Sequence, residues 1–290
     1  LLYVFAPDSG ARFPASAIPL PDLFPFHREG VQTNRDDVAI DLDREALLTR
    51  LRAFVAGEKH GELARAGVAL GHYDPERARA AVARALEADP DGARGLAVRK
   101  VAYRPYDTRY LAPIAPLCHR PRPELLAAID RSSFALLTVR KDRGERAWNH
   151  FAATSYVPDN CFLSSRSSCR TRAFPTHGPD GAPNLDVDAA RALFSAVGAA
   201  VSVEEALDYA LGLLASASYR SLYGELLLRD YPRVLAPADS AAFAATRAAG
   251  AALREAFVAA CDPSLERVTV GHHSVAPSAS LGAALARARG

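Results

Sequence analysis

The spacing of apolar residues predicts two helices in the first third of the chain. Asp43 suits an N-cap, and the residues that follow place their apolar side chains on one face until Gly57 ends the pattern. A second helix begins after Asp74, carries Pro75 in its first turn and stops before Pro90. These helices predict a helical spacer between about residues 40 and 95.

The last third of the chain also has helical periodicity. Ser202 and Glu205 form the pattern of a capping box ahead of a broad apolar face. A further helix follows and is closed by Pro232, and a last one runs from Asp239 to about residue 260. We expect these segments to form a helical closing section.

Alternating apolar and basic residues predict a strand over residues 97–103 in the middle of the chain, and residues 134–140 and 147–157 are further strand candidates. The fold class predicted for the chain is therefore α+β, with a helical spacer, a mixed-sheet domain and a helical closing section. We place residues 1–95 in an extended, proline-rich segment plus the spacer. Residues 96–290 then form the sheet domain and the C-terminal helices, and the extended segment is expected to dock onto another surface.

Positive charge is concentrated in the predicted sheet domain. Residues 94–172 hold fifteen Lys or Arg against six Asp or Glu, a net charge of +9 in a chain whose total is +2. Segregation of this kind is typical of a surface that binds a polyanion. We expect the arginines to line one concave wall.

Two loops carry the densest positive charge. One is a predicted β-hairpin loop around Gly144, a shape that can enter a groove of DNA. The other is the segment S-S-R-S-S-C-R-T-R, whose hydroxyls and guanidiniums are common donors to phosphate; a flexible basic linker is an equal alternative. The first-ranked contacts to phosphate or bases are Arg140, Lys141, Arg143, Arg166, Arg170 and Arg172.

A turn in the sequence Y-R-P-Y-D-T-R-Y combines aromatic rings with guanidinium groups, which suits nucleic acid. The alternative is local packing, in which Asp107 neutralises Arg104 or Arg109 and the tyrosines fill a core. Taken alone, the turn favours packing. The second-ranked contacts are Arg104, Tyr106, Asp107, Arg109 and Tyr110, together with Arg120 and Arg122 of the later H-R-P-R.

Motifs for catalysis are absent from the sequence. There is no G-x-G, no Pro-Pro, no acid two residues before a Lys, no G-x-S-x-G and no H-E-x-x-H. Dinucleotide binding, adenine methylation and common metal-dependent nuclease chemistry are thereby excluded from this chain. We name no catalytic residue and expect the chain to require no cofactor.

The four cysteines form no C-x-x-C pair. Cys161 and Cys169 with His177 are a conceivable metal cluster, but their spacing matches no standard zinc pattern. We therefore expect free, buried thiols and no metal site. With no membrane-spanning run and no signal sequence, we expect a cytoplasmic protein. The absence of Met indicates either a fragment of a longer protein or residues missing from the sequence.

Four pieces of the sequence carry a resemblance to a known family. They are G-V-Q-T-N-R-D-D, Y-R-P-Y-D-T-R-Y with the later H-R-P-R, D-Y-A-L-G-L-L-A-S-A-S-Y-R-S-L-Y, and R-D-Y-P-R. In this order they resemble the C-terminal half of single-polypeptide restriction-modification enzymes, the type ISP and type IIG adenine methyltransferases. After Tyr110 the family has more aromatics, whereas this chain continues Leu111, Ala112, Pro113.

The resemblance implies a non-catalytic region made of a spacer and a target recognition domain. Such a region grips double-stranded DNA and presents an adenine to a methyltransferase domain upstream in the parent polypeptide, where S-adenosylmethionine would bind. A nuclease domain in the same polypeptide is a further possible partner, and a bacterial, nucleoid-associated location follows from this implication. The alternative from another class is a protein-interaction scaffold whose basic patch binds an acidic partner.

Overall fold

A computed structural model describes residues 12–57, 74–142, 147–165, 169–260, 268–270 and 273–275 of the chain. Three residues named in the sequence analysis lie outside these ranges: Arg143, Gly144 and Arg166. The described residues combine helices with two four-stranded sheets, which confirms the α+β class. None of their helices is both long enough and apolar enough to cross a bilayer.

The described residues form nine α-helices, of which those after Asp43, Asp74 and Ser202 begin where the capping signals predicted. They are α1 (Leu20–Leu23), α2 (Asp36–Ala39), α3 (Arg44–Val55), α4 (Pro75–Ala88), α5 (Pro123–Asp130), α6 (Val187–Leu193), α7 (Val203–Ala215), α8 (Ala217–Leu227) and α9 (Ser240–Ala260). The Asp43 carboxylate accepts the first-turn N–H of Ala46 at 2.7 Å. Ser202 and Glu205 form both bonds of the capping box. These local bonds satisfy N–H groups that a helix leaves unpaired.

Most strands fall into two sheets. The strands are β1 (Ile18–Pro19), β2 (Arg28–Glu29), β3 (Ile40–Asp41), β4 (Arg99–Arg104), β5 (Asp107–Leu111), β6 (Ala135–Val139), β7 (Phe151–Thr154), β8 (Val157–Pro158), β9 (Thr171–Pro175), β10 (Arg233–Val234), β11 (Val268–Val270) and β12 (His273–Val275). Sheet A has the order β2-β9-β6-β7, and sheet B has the order β3-β5-β4-β8. The β4–β8 pair is parallel, so sheet B is mixed, as predicted.

The strand predicted over residues 147–157 is wrong as a single element. It divides into β7 in sheet A and β8 in sheet B. The Tyr156 N–H donates to the Thr154 hydroxyl at 3.0 Å, and this local bond replaces a ladder bond at the break. The chain can therefore pass from one sheet to the other within a few residues.

The N-terminal segment is built into the rest of the molecule. Strands β1, β2 and β3 pair with β10, β9 and β5, all of which come from beyond residue 96. Leu20, Leu23 and Phe24 are buried in a core shared with α7 and α8. The surface onto which this segment docks therefore includes the chain's own helices. The domain boundary placed between residues 95 and 96 stays a prediction.

Hydrophobic side chains form three clusters. The largest joins one face of sheet A to the C-terminal helices, for example Leu136 and Phe174 to Leu207. A second fills the space between the two sheets, and a third packs α3 and α4 against sheet B through residues such as Phe54 and Val98. The basic loops are therefore attached to a sheet that is covered on both faces.

Gly30 is the point of closest backbone approach between the sheets. A Cβ atom placed there would lie 2.5 Å from the Pro158 oxygen and 2.7 Å from the Asn160 nitrogen. The Val31 N–H donates to the Pro158 carbonyl at 2.9 Å, and the Asn160 N–H donates to that of Val31 at 2.8 Å. Any side chain at residue 30 would push these strands apart.

Helices α7 and α9 cross at two glycines. A Cβ atom on Gly250 would collide with the Asp208 carbonyl, and one on Gly212 with that of Thr246. The ion pair between Asp208 and Arg254, at 2.8 Å, bridges the same crossing. Close backbone contact therefore fixes the distance between these helices.

We expect Gly250→Ala to lower the free energy of unfolding by about 1–3 kcal/mol, because the new methyl group must separate α7 from α9. Gly224→Ala is the matched control, since the same change in α8 meets no atom within 4 Å. It should stabilise the protein by roughly 0.5–1 kcal/mol. Urea unfolding of both variants checks this, and equal effects would contradict the close crossing.

Candidate nucleic-acid interface

Both predicted basic loops leave the same end of sheet A. Val139, the last residue of β6, pairs with Thr171, the first residue of β9. Arg140 and Lys141 therefore continue from one strand beside the point where Arg170 enters the other. The fold thus brings together cations that the sequence separates by about thirty residues.

Glu29 lies at the centre of an arginine cluster. It sits on β2 opposite Arg172 on β9, and its carboxylate accepts from Arg172 at 3.0 Å and from Arg122 at 2.7 Å. Burial lowers the pKa of Arg122, and the neighbouring charges of Arg120 and Arg172 lower it further, while Glu29 raises it. Two guanidiniums thus share a single carboxylate, and the charge of Arg120 also acts on Arg122, which leaves the cluster positive.

The positive region continues to His27 and Tyr231. The His27 ring stacks on Phe174 with centroids 5.0 Å apart. Burial, and then the charges of Arg172 and Arg28, lower the pKa of His27 from its usual 6.5 to about 4. The ring is therefore neutral at pH 7, chiefly because it is buried, and the two arginine charges add to the effect.

Tyr231 connects the cluster to Arg140. The Arg140 guanidinium lies 5.9 Å from the centre of its ring. Arg140 also pairs with Asp230 at 3.1 Å, but these side chains are 60% and 69% exposed. An ion pair this exposed contributes about 0–1 kcal/mol, so Arg140 can exchange Asp230 for another anion at little cost.

Three candidate cations form no ion pair with any carboxylate in the described ranges. Lys141 and Arg120 are exposed, and the Arg170 guanidinium lies 3.7 Å from the Cys161 sulfur. The other candidate arginines within those ranges each pair with a carboxylate, and these are Arg104, Arg109, Arg122, Arg140 and Arg172. The surface is thus less positive than its arginines alone suggest.

The β4–β5 hairpin shows the local packing weighed above. Asp107 neutralises Arg109 at 2.8 Å, while Arg104 pairs with the buried Asp159 at 2.7 Å. Both guanidiniums lie over the Tyr103 ring, 4.0 and 4.1 Å from its centre. These two arginines are held by their neighbours. Tyr106, at the tip, is 47% exposed.

Burial also shapes the acids and phenols beneath this hairpin. Burial raises the pKa of Asp159, and the charge of Arg104 and the N–H of Cys161 oppose that shift. Burial and a 2.7 Å hydrogen bond to Asp36 raise the pKa of Tyr103 to about 12. The Tyr103 hydroxyl therefore stays protonated and acts as a donor. Tyr110 packs beside the cluster formed by α3 and α4.

The hairpin and the end of sheet A approach each other at residues 159–161. Arg104 reaches Asp159, and Arg170 reaches Cys161 two residues further on. The bond from the Asn160 N–H to Val31 ties the same stretch to β2. The two groups of candidates are thus neighbours, and one shared concave wall remains a prediction.

Apart from the arginine cluster, a cationic groove of about 560 Å³ lies along β4. Its basic lining residues are Arg44, Arg94, Arg99 and Lys100. Arg99 pairs with Asp130, and the Lys100 ammonium lies 3.3 Å from the Tyr156 hydroxyl. Part of the positive charge of the stretch is thus placed away from the end of sheet A.

The residues that organise the cluster were not among the predicted contacts. Glu29 and His27 lie next to the G-V-Q-T-N-R-D-D piece, and Asp230 and Tyr231 lie within R-D-Y-P-R. Their proximity to the conspicuous arginines was the available signal. No local pattern indicates that Glu29 faces Arg122, because that contact spans 93 residues.

The conceivable cluster of Cys161, Cys169 and His177 does not form. Cys169 precedes β9, whereas His177 follows the other end of that strand and contacts Thr176. The structure places Cys169 beside His150 instead. The described cysteines form no disulfide. Cys118 and Cys169 are buried, as expected, whereas Cys161 is partly exposed.

Solved structures share this fold. A DrdV–DNA complex matches with a TM-score of 0.61 and 19% identity, over 91% of this chain and 26% of that one. LlaGI, a type ISP restriction-modification enzyme in complex with a DNA substrate mimic, matches with a TM-score of 0.57 and 16% identity, over 91% and 20%. LlaBIII, an ATP-dependent type ISP enzyme bound to DNA, matches with 0.55 and 14%, over 82% and 16%.

These similarities define an α+β fold found within much longer chains, since this chain spans about a quarter or less of each. No curated protein matches the chain. The family model of the type ISP C-terminal specificity domain matches residues 22–274. The chain belongs to this family, which confirms the resemblance drawn from its four sequence pieces.

We expect His27 to make folding sensitive to acid. Its pKa is lower in the folded protein, so its contribution to stability is complete above pH 6.5 and is lost as the pH falls towards about 4. His27→Phe keeps a ring against Phe174 but does not titrate. Its loss of stability between pH 7 and about pH 5 should be smaller by roughly 1 kcal/mol, with the partial exposure of the ring included. Equal losses in urea titrations would refute this.

Proposed function

We propose that this chain is the DNA target recognition module of a restriction-modification enzyme. Membership of the type ISP specificity family supports the proposal, as do the DNA complexes in which the similar folds occur. The observation that carries it is the convergence of Arg120, Arg122, Arg170 and Arg172 with Arg140 and Lys141 at one end of a rigid sheet.

Contacts to phosphate would hold the duplex in position. Cations that have no carboxylate partner among the described residues, such as Arg120 and Lys141, can contact phosphate without breaking an ion pair observed there. Arg140 loses little when it leaves the exposed Asp230. Each phosphate neutralised releases counterions, so binding should weaken steeply as salt increases.

Sequence would be read by side chains just beyond the strand ends. Arg140 and Lys141 begin the loop that follows β6, and Arg170 ends the loop that precedes β9. Arginine in such a loop can donate two hydrogen bonds to guanine in the major groove. Tyr106, exposed at the tip of the other hairpin, offers an aromatic face to a base or a hydroxyl to phosphate.

Catalysis would reside in other parts of the parent polypeptide. The similar structures are about four to six times longer than the matched region, as their covered fractions of 26%, 20% and 16% indicate. We propose an adjoining N6-adenine methyltransferase domain that binds S-adenosylmethionine and receives an extruded adenine. A nuclease domain is a further proposed partner of the module.

We expect Arg120→Ala and Lys141→Ala each to weaken binding to duplexes of any sequence. Each change should reduce the slope of log affinity against log salt by about 1, because one phosphate contact is lost. Arg191→Ala is the control, since Arg191 is an exposed arginine of α6 paired with Asp188. Fluorescence anisotropy over a salt series checks this, and identical slopes for all three variants would exclude these contacts.

We expect Glu29→Gln to tighten binding to random duplex and to steepen its salt dependence. The change removes the carboxylate shared by Arg122 and Arg172 but preserves the shape of the side chain. Asp188→Asn makes the same change of charge on α6 and should have a smaller effect. If Glu29→Gln leaves the salt slope unaltered, the arginine cluster does not face DNA.

The same titrations test the alternative of a protein-interaction scaffold. If the protein does not bind duplex DNA at low salt but binds an acidic protein through Arg120 and Lys141, the result favours the scaffold. Binding to random duplex that falls steeply with salt favours DNA recognition.

A further inference from the structure

Three potential metal ligands meet at the end of sheet A, below the two basic loops. The His150 Nε2 atom lies 2.8 Å from an Asp142 oxygen and 3.7 Å from the Cys169 sulfur. The three ligand atoms all lie within 4.8 Å of one another. Asp142 follows β6, His150 precedes β7 and Cys169 precedes β9, so three neighbouring strands supply them.

The group is buried. The side chains of Asp142 and His150 are 5% and 15% exposed, and Cys169 is fully buried. Trp148 covers one side, with its ring at 90° to that of His150 and 6.1 Å away. Burying a carboxylate is costly unless it is paired or binds a cation, and Asp142 meets His150 on this side of the group.

The arrangement around His150 favours a metal over a simple ion pair. The carboxylate oxygen and the sulfur both approach Nε2, which carries either one proton or one lone pair. An imidazolium there would balance Asp142 and leave the sulfur as a third, weakly bound neighbour. A metal ion would use the nitrogen lone pair, the carboxylate and a thiolate together.

We propose that Asp142, His150 and Cys169 bind one divalent transition-metal ion, with Zn²⁺ the best match. Nitrogen, oxygen and sulfur ligands suit this borderline ion, whereas Mg²⁺ and Ca²⁺ prefer oxygen alone. Metal–ligand bonds of about 2.0–2.3 Å imply ligand atoms roughly 3.3–3.7 Å apart in a tetrahedron. The N···S distance of 3.7 Å already fits, and the N···O distance of 2.8 Å must open slightly.

The charges balance in this site. Binding releases the thiol proton of Cys169, so a thiolate and a carboxylate neutralise the two positive charges while His150 binds as the neutral base. Three protein ligands leave a fourth position for water. The ion would fix the bases of the 140–150 and 159–170 loops relative to each other, which is a structural role independent of DNA.

Cobalt substitution tests the site directly. We expect the intact protein that carries this chain, titrated with Co²⁺, to gain a thiolate-to-cobalt charge-transfer band in the near ultraviolet and visible bands typical of tetrahedral cobalt. The thiolate band should disappear in Cys169→Ser. Cys118→Ser, which removes another fully buried free thiol, should keep it.

Zinc content and a second variant cover the case in which Cys169→Ser misfolds. Asp142→Asn retains the thiolate and should show the cobalt band with an affinity at least tenfold weaker. The wild-type protein should contain one more equivalent of zinc than Cys169→Ser and melt at a lower temperature after chelation. Equal zinc content, an unchanged cobalt band in Cys169→Ser, or a melting temperature indifferent to chelation would overturn the proposal. All readouts are made without DNA.

Discussion

The architecture depends on the close passage of the backbone at Gly30. Because residue 30 has no side chain, the strand that carries Glu29 can hydrogen-bond to β9 on one side and reach residues 158–160 on the other. The main-chain bonds of Val31 to Pro158 and Asn160 join sheet A to sheet B. The arginine cluster, the hairpin and the buried Asp159 all take their positions from this junction.

The balance of charge at the end of sheet A is set by a few carboxylates. Glu29 holds Arg122 and Arg172 in place, and Asp159 holds Arg104, so these guanidiniums are ordered before any ligand arrives. Order gained in this way reduces the entropy lost on binding. Arg120, Lys141 and Arg140 are exposed and can change position, so the surface combines ordered guanidiniums with adaptable cations.

Much of the secondary structure was predictable because its causes are local. The capping carboxylate of Asp43 and the Ser202–Glu205 capping box act within a few residues. The division of the predicted 147–157 strand was not, since that stretch has a continuous strand-like pattern. Its two halves pair with strands of different sheets, because a strand-like pattern of side chains does not specify which strand each half will pair with.

By itself, the sequence determined the class of the fold, the segregation of positive charge and the family. These properties follow from periodicity, composition and short motifs, all of which are readable along one chain. Only the tertiary structure decided which arginines are neutralised and that Asp142, His150 and Cys169 meet. Their spacings of 8 and 19 residues acquire meaning only when β6, β7 and β9 pair. The physical reason is that ion pairs and ligand sets depend on distances of a few ångströms, and contacts between distant segments set those distances.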